Sequence, residues 1–226
     1  MKKKIILSFL TLLALPLISQ AKVFETPLLK SAFGQNLFCR VMTNQHLLNL
    51  PARCLSVEPE PNPEPDGKLL ITEVYYDVDS THGTEADNEW VELYNGTDQI
   101  INLKDWQIAD SSLTDTLPEL LLASGQYALI TKSGSTAGFW GWPGETLLII
   151  LNNPIGNGLS NSGDALYLKN PIGEVVDSLS WGANSAVFDP SLPGVIEGHS
   201  LGRIDPKIDT DTIADWQDQT LPDPGF

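Results

Sequence analysis

The sequence predicts an all-β protein, a sandwich of antiparallel strands, and three observations carry that prediction. Past residue 67 the chain breaks into short runs rich in Val, Ile, Leu, Tyr and Trp, each bounded by Gly, Pro, Asn or Asp. Several runs alternate apolar and polar residues, the period of a strand with one buried face. The alternating strand–helix pattern of a parallel α/β fold is missing.

Each element has its own signal. Lys68 to Asp77 (KLLITEVYYD) is a first strand, with Leu70, Thr72, Val74 and Tyr76 on one face and Leu69, Ile71 and Tyr75 on the other. Asn88 to Asn95 is a second, with Val91 and Leu93 alternating against Trp90, Glu92 and Tyr94. The turn Asn95-Gly96-Thr97-Asp98 leads to a third, Ile100 to Ala109, where Trp106 and Ile108 share a face. Leu120 to Leu122 passes through Ser124-Gly125 into Gln126 to Lys132. Thr146 to Asn152 (TLLIILN) is apolar on both faces, the pattern of a central strand. Asp164 to Trp181 is a hairpin: in Asn170-Pro171-Ile172-Gly173, Pro presets φ and Gly supplies positive φ afterwards. A last strand is expected around Ser200 to Ile204.

The strand words EWVELYN, NLKDWQI and NSGDALYL, with the closing HSLGR, DTDTIADW and PDPG, occur in an order that resembles the lamin tail domain family, particularly its bacterial exported members. The likeness spans residues 68–226. It implies an immunoglobulin-like antiparallel sandwich that serves as a scaffold, so function has to be sought in its loops. In animal lamins such a domain ends a coiled-coil filament protein and meets nuclear partners, but no heptad segment exists here. In exported bacterial proteins similar domains accompany hydrolases or surface-attachment modules, which implies targeting or adhesion.

The first 21 residues have the layout of a signal peptide: Lys2 to Lys4, an apolar run from Ile5 to Ile18, then Ser19-Gln20-Ala21. The run is too short for a bilayer span, and no later segment is long and apolar enough for one. A secreted or periplasmic destination is expected. Residues 22–56 form a small N-terminal segment in which Cys39 and Cys54 are expected to pair as a disulfide in an oxidising compartment. Residues 57–67 (VEPEPNPEPDG) are a Pro/Glu-rich linker with the composition of an extended spacer. Residues 68–226 are the sandwich. The net charge of −16 becomes −19 once residues 1–21, with three lysines and no acid, are removed. That balance argues against nucleic acid and anionic membranes as partners and favours divalent cations.

Two acidic loops are candidates for a calcium ion, which takes six to eight oxygen ligands. Asp77, Asp79, Glu85, Asp87 and Glu89 crowd the connection after the first strand; Asp209, Asp211 and Asp215 crowd the tail. The alternative is that these side chains face solvent or hold turns through their own backbone. Phe139, Trp140 and Trp142 lie in a Gly/Pro-flanked loop and are the candidate ligand contacts, able to stack on sugar rings; the alternative is a lid over one end of the sandwich. Gly198-His199-Ser200-Leu201-Gly202 matches the hydrolase elbow G-x-S-x-G, but no His follows Ser200 and Pro206 would break the required helix. No catalytic residue is assigned. The expectation is a non-catalytic binding or attachment module, calcium-stabilised, with a protein or glycan partner at the envelope. A secreted hydrolase, or an accessory subunit of an exported enzyme complex, is the alternative.

Overall fold

The computed structural model describes residues 67–226. The signal segment, the Cys39–Cys54 pairing and all but the last residue of the Pro/Glu linker lie outside them. The described residues fold into β1 (Leu69–Tyr75), β2 (Trp90–Asn95), β3 (Ile101–Asn102), β4 (Gln107–Ala109), β5 (Thr114–Thr116) and β6 (Leu121–Leu122), followed by β7 (Tyr127–Thr131) and β8 (Leu147–Ile150). Then come β9 (Ala165–Lys169), β10 (Val175–Ser180), β11 (Ser200–Arg203) and β12 (Trp216–Gln219). One sheet runs β12-β11-β1-β2-β7-β8, a second β10-β9-β4-β5, and β3 pairs with β6. All neighbours are antiparallel except β7 and β8. This is the architecture of an immunoglobulin-like sandwich.

The core lies between the two larger sheets. Ile71, Val74, Val91, Leu93, Ile130 and Ile149 of the six-stranded sheet meet Ile108, Leu166, Leu168, Leu179 and Trp181. Tyr76 stacks on Trp181 at 4.8 Å, and both polar tips find partners. The Tyr76 hydroxyl accepts the Val195 N–H at 2.7 Å, and the Trp181 indole donates to the Ser160 carbonyl at 3.0 Å. Such pairing is what allows large amphipathic rings to be fully buried.

Three strands differ from expectation, each for a local reason. In β1 a bulge between Ile71 and Glu73 shifts the register and changes the alternation, so Leu69 and Ile71 share the core face with Val74 and Tyr76. The run Ile100 to Ala109 is not one strand: Asp105 takes φ 64°, Trp106 N–H donates to the Leu103 carbonyl, and the halves enter different sheets. TLLIILN is an edge strand, not a central one. Its two faces are both apolar because Ile149 enters the core while Leu148 packs against a second cluster on the far side of the sheet. The 164–181 hairpin forms as expected, with Gly173 at φ 86°.

The sheets are joined by one buried ion pair. Arg203 on β11 donates Nη2 to both oxygens of Asp177 on β10, at 2.9 and 3.1 Å. At the β1 bulge the Ile71 N–H donates to Asp177 at 2.7 Å, and Arg203 Nε donates to the Ile71 carbonyl at 3.0 Å. Backbone groups that the bulge leaves out of the ladder are thereby satisfied by side chains. Burial pushes the Asp177 carboxyl up to about 6, against the pull of the Arg203 guanidinium. Trp216 packs beneath that guanidinium at 4.7 Å. Replacing Arg203 by Met is expected to cost about 3–5 kcal/mol, because it strands a buried carboxylate. Adding Asp177→Asn to that variant should recover part of the loss. Denaturant unfolding of the two variants checks both.

Candidate functional site

Strand alternation places a second set of aromatics on the outer face of the six-stranded sheet. Tyr75, Val78, Trp90 and Leu129 are buried there, and Trp140, Trp142 and Leu148 pack over them. Trp90 stacks on Tyr75 at 5.6 Å; Trp140 stands edge-on to both, at 5.1 and 5.8 Å. The His82 ring lies flat on Trp140, with centroids 4.0 Å apart and planes within 9°. The three aromatics of the 138–144 loop are thus divided. Trp140 and Trp142 serve as the lid that covers this end of the sheet, and Phe139 remains 42% exposed. The indole nitrogens of Trp90 and Trp140 are both buried without a partner among the described residues.

Beside the lid opens a cleft of about 360 Å³ lined by Asp79, His82, Trp140, Glu197, His199 and Leu221, among others. Asp79 shapes its first wall. One Asp79 oxygen accepts the N–H groups of Thr81 and His82, the Thr81 hydroxyl, and pairs with His82 Nδ1 at 2.8 Å. Burial opposes its charge, but the bonds from Thr81 and His82 outweigh that and hold its carboxyl below the usual range. On the opposite wall His199 Nδ1 pairs with Asp218 at 2.8 Å. Each imidazole is therefore anchored through Nδ1 by a carboxylate, which fixes the ring and leaves Nε2 as its remaining polar atom. Chemically, the cleft offers an indole edge and face, two oriented ring nitrogens and the exposed Glu197 carboxylate.

The acidic loops have other occupations. Asp77 and Glu85 share the Asn161 amide, and Glu85 also accepts the Val78 N–H. Asp87 pairs with Lys132. Glu89 is buried, accepts the N–H groups of Ala86 and Leu159, and is pushed up to about 7 by desolvation. In the tail, Asp209 is held by Lys68 at 2.9 Å and by Arg203 at 3.3 Å. Asp215 caps the 3-10 turn Ile213–Asp215, accepts from Thr210, and lies 3.6 Å from Arg203. The Asp211 N–H donates to Asp209, and its own residue adopts φ 54°. The charge that Asp209 and Asp215 face is a guanidinium. Among the described residues no group of three or more His, Cys, Asp or Glu side chains surrounds a common point.

Two glutamates went unremarked at the sequence level. Glu73 and Glu92 sit on the outer face of β1 and β2 yet are only 3% and 1% exposed. Ser200 donates its hydroxyl to Glu73, and Thr72 donates to Glu92 at 2.6 Å. The legible signal was Glu92 sharing a strand face with Trp90 and Tyr94, since a face that large and aromatic needs a cover. Ser200 itself is fully buried within β11, not perched on a strand-to-helix elbow, and His199 is turned to Asp218. The G-x-S-x-G match has none of the geometry of a nucleophile.

Trp140→Ala is expected to cost about 2–3 kcal/mol, somewhat less than a fully buried Trp. Phe139→Ala should stay within about 0.5 kcal/mol; thermal or chemical melts of the two separate these roles. Calcium stabilisation predicts a melting temperature raised by millimolar Ca²⁺ and lowered by a chelator; an unchanged melt would end it. A rise of several degrees that a chelator reverses would point to the 77–87 loop, where Asp77, Glu85 and Asp87 each keep one oxygen without a donor among the described residues.

No curated protein matches the chain. The family model for the lamin tail domain matches residues 62–183, more than half of it. The match takes in β1 through β10 and stops before β11, which the fold nevertheless requires between β1 and β12. With the sandwich topology and this match together, the chain belongs to the lamin tail domain family.

Proposed function

We propose that this protein is an exported, non-catalytic binding module that holds a hydroxyl-rich partner, a glycan of the cell envelope or surface, in the cleft between His82–Trp140 and His199–Leu221. The observation that carries the reading is the pair of carboxylate-anchored imidazoles facing one cleft beside an aromatic wall. Sugars present an apolar ring face to an indole and hydroxyls to fixed donors and acceptors, and sites of this kind are concave with a few oriented polar groups. The family is one of immunoglobulin-like interaction domains, which agrees with a site grafted on loops. Export rests on the signal-like residues 1–21. Among the described residues no helix is long and apolar enough to cross a membrane.

The test is retention of the purified chain on insoluble envelope polysaccharide, with soluble oligosaccharides as competitors. Glu197→Gln combined with His199→Ala removes two cleft groups from the surface, so the fold should survive, as an unchanged melt would verify. Affinity is expected to fall at least tenfold. Absence of retention by the wild-type chain, or equal retention by the variant, would overturn the reading.

A further inference from the structure

Residues 220–226 turn back along the outer face of the six-stranded sheet as a strap without secondary structure of its own. Thr220, Leu221 and Pro222 line the cleft; Pro224 and Gly225 are buried. The Gly225 N–H donates to Glu92. Gly225 adopts φ 91°, and a Cβ at that position would meet Thr146, Pro143 and Trp142. The strap is therefore seated on the sheet and also locked against the aromatic loop, at a residue that only glycine fits.

Beneath it lie acids and no base. Glu73 from β1, Glu92 from β2 and Asp223 from the strap itself act on one another, with Tyr94, Tyr127 and Asp205 adding only further acidic groups nearby. Among the described residues no ion pair links any of the three carboxyls to a cation. Their partners are neutral donors: Ser200, Thr72, Gln219 and the Gly225 amide. Those donors favour the carboxylate, but burial at 3% and 1% exposure without a cation outweighs them, so the arrangement is stable while the glutamates are protonated and costly once they ionise. The strap is the least expensive cover to remove, having no strand ladder of its own, with Leu221 81% and Phe226 65% exposed.

We infer that the C-terminal strap is a pH-operated latch: it closes over protonated Glu73 and Glu92, and their ionisation releases it and widens the cleft. The sign follows from burial. Desolvation raises Glu73 to about 8 and Glu92 to about 7, both from an ordinary 4.5. Stabilisation of the closed strap is thus complete below pH 4.5 and is lost as pH rises through 7 to 8. Widening of the cleft matters for binding only if the proposed function is right; closure of the strap does not depend on it.

Hydrogen exchange at the Gly225 amide of the intact chain reads the latch directly, without any ligand. Its protection factor, corrected for the intrinsic pH dependence of exchange, is expected to fall between pH 4.5 and about pH 8. The slope should approach about tenfold per pH unit for each glutamate between the ordinary and the raised midpoints, and level off above the raised ones. In the Glu73→Gln, Glu92→Gln double variant it should stay flat, since an amide mimics the protonated acid. Gly225→Ala supplies the released reference, unprotected at every pH. A pH-independent protection factor in the wild-type chain, or an equal fall in the double variant, would overturn the latch. Should the double variant not fold, carboxyl NMR titration of the wild type decides. Midpoints at 7–8 that coincide with loss of Gly225 protection support the latch, and midpoints near 4.5 reject it.

Discussion

The guanidinium of Arg203 is the point on which the two main sheets close. A bulge in β1 releases the Ile71 N–H and carbonyl from the ladder at the place where β10 also slips register, next to Asp177. Unsatisfied, those buried backbone groups would oppose folding. Arg203 and Asp177 satisfy them and each other in one bidentate arrangement, with side chains 1% and 2% exposed. Apolar residues would give comparable stability in the sandwich interior, but they could not cap a bulge or pin the register of β1 against β10. The same cation draws in Asp209 and Asp215, so the acidic tail is organised by the core.

The outer face of the six-stranded sheet poses the opposite problem. Trp90, Tyr75 and Leu129 require cover, yet among the described residues no third layer exists. Two irregular segments supply it: the 138–144 loop with Trp140 and Trp142, and the strap with Gly225. Covers without ladder hydrogen bonds are held by side-chain packing and single contacts such as Gly225 to Glu92, and open more easily than strands. This division gives the domain a rigid interior and one adjustable face. The cleft lies on that adjustable face, bounded by His82 on one loop, His199 before β11 and Leu221 on the strap.

Much of the fold was legible because its signals are local. The alternation in Trp90 to Asn95, the Pro-Ile-Gly turn of the β9–β10 hairpin and the Asn-Gly-Thr-Asp turn each depend on a few neighbouring residues. The errors mark where locality ends. The parity of β1 depends on a bulge whose reason, the Arg203–Asp177 pair, lies more than 100 residues away in sequence. The edge position of TLLIILN depends on Trp142 and its neighbours covering one face, since local apolarity cannot distinguish a central strand from an edge strand under a lid. The candidate site was half legible. Trp140 stood out by composition, but its partner His82 and the opposing His199–Asp218 pair are brought to it only by chain reversal.

By itself the sequence determined the all-β class, the strand segments and the family, because side-chain periodicity and turn chemistry act over distances of two to eight residues. It also determined an acidic chain whose Asp-rich loops look the same whether they hold a metal, a turn or an arginine. Only the tertiary structure showed which of these side chains face an arginine and which hold a turn. The energy of a carboxylate is set by what surrounds it: Arg203 for Asp209 and Asp215, the strap for Glu73 and Glu92, an imidazole for Asp79. Those neighbours come from distant segments of the chain, and their positions are fixed when the sheets close.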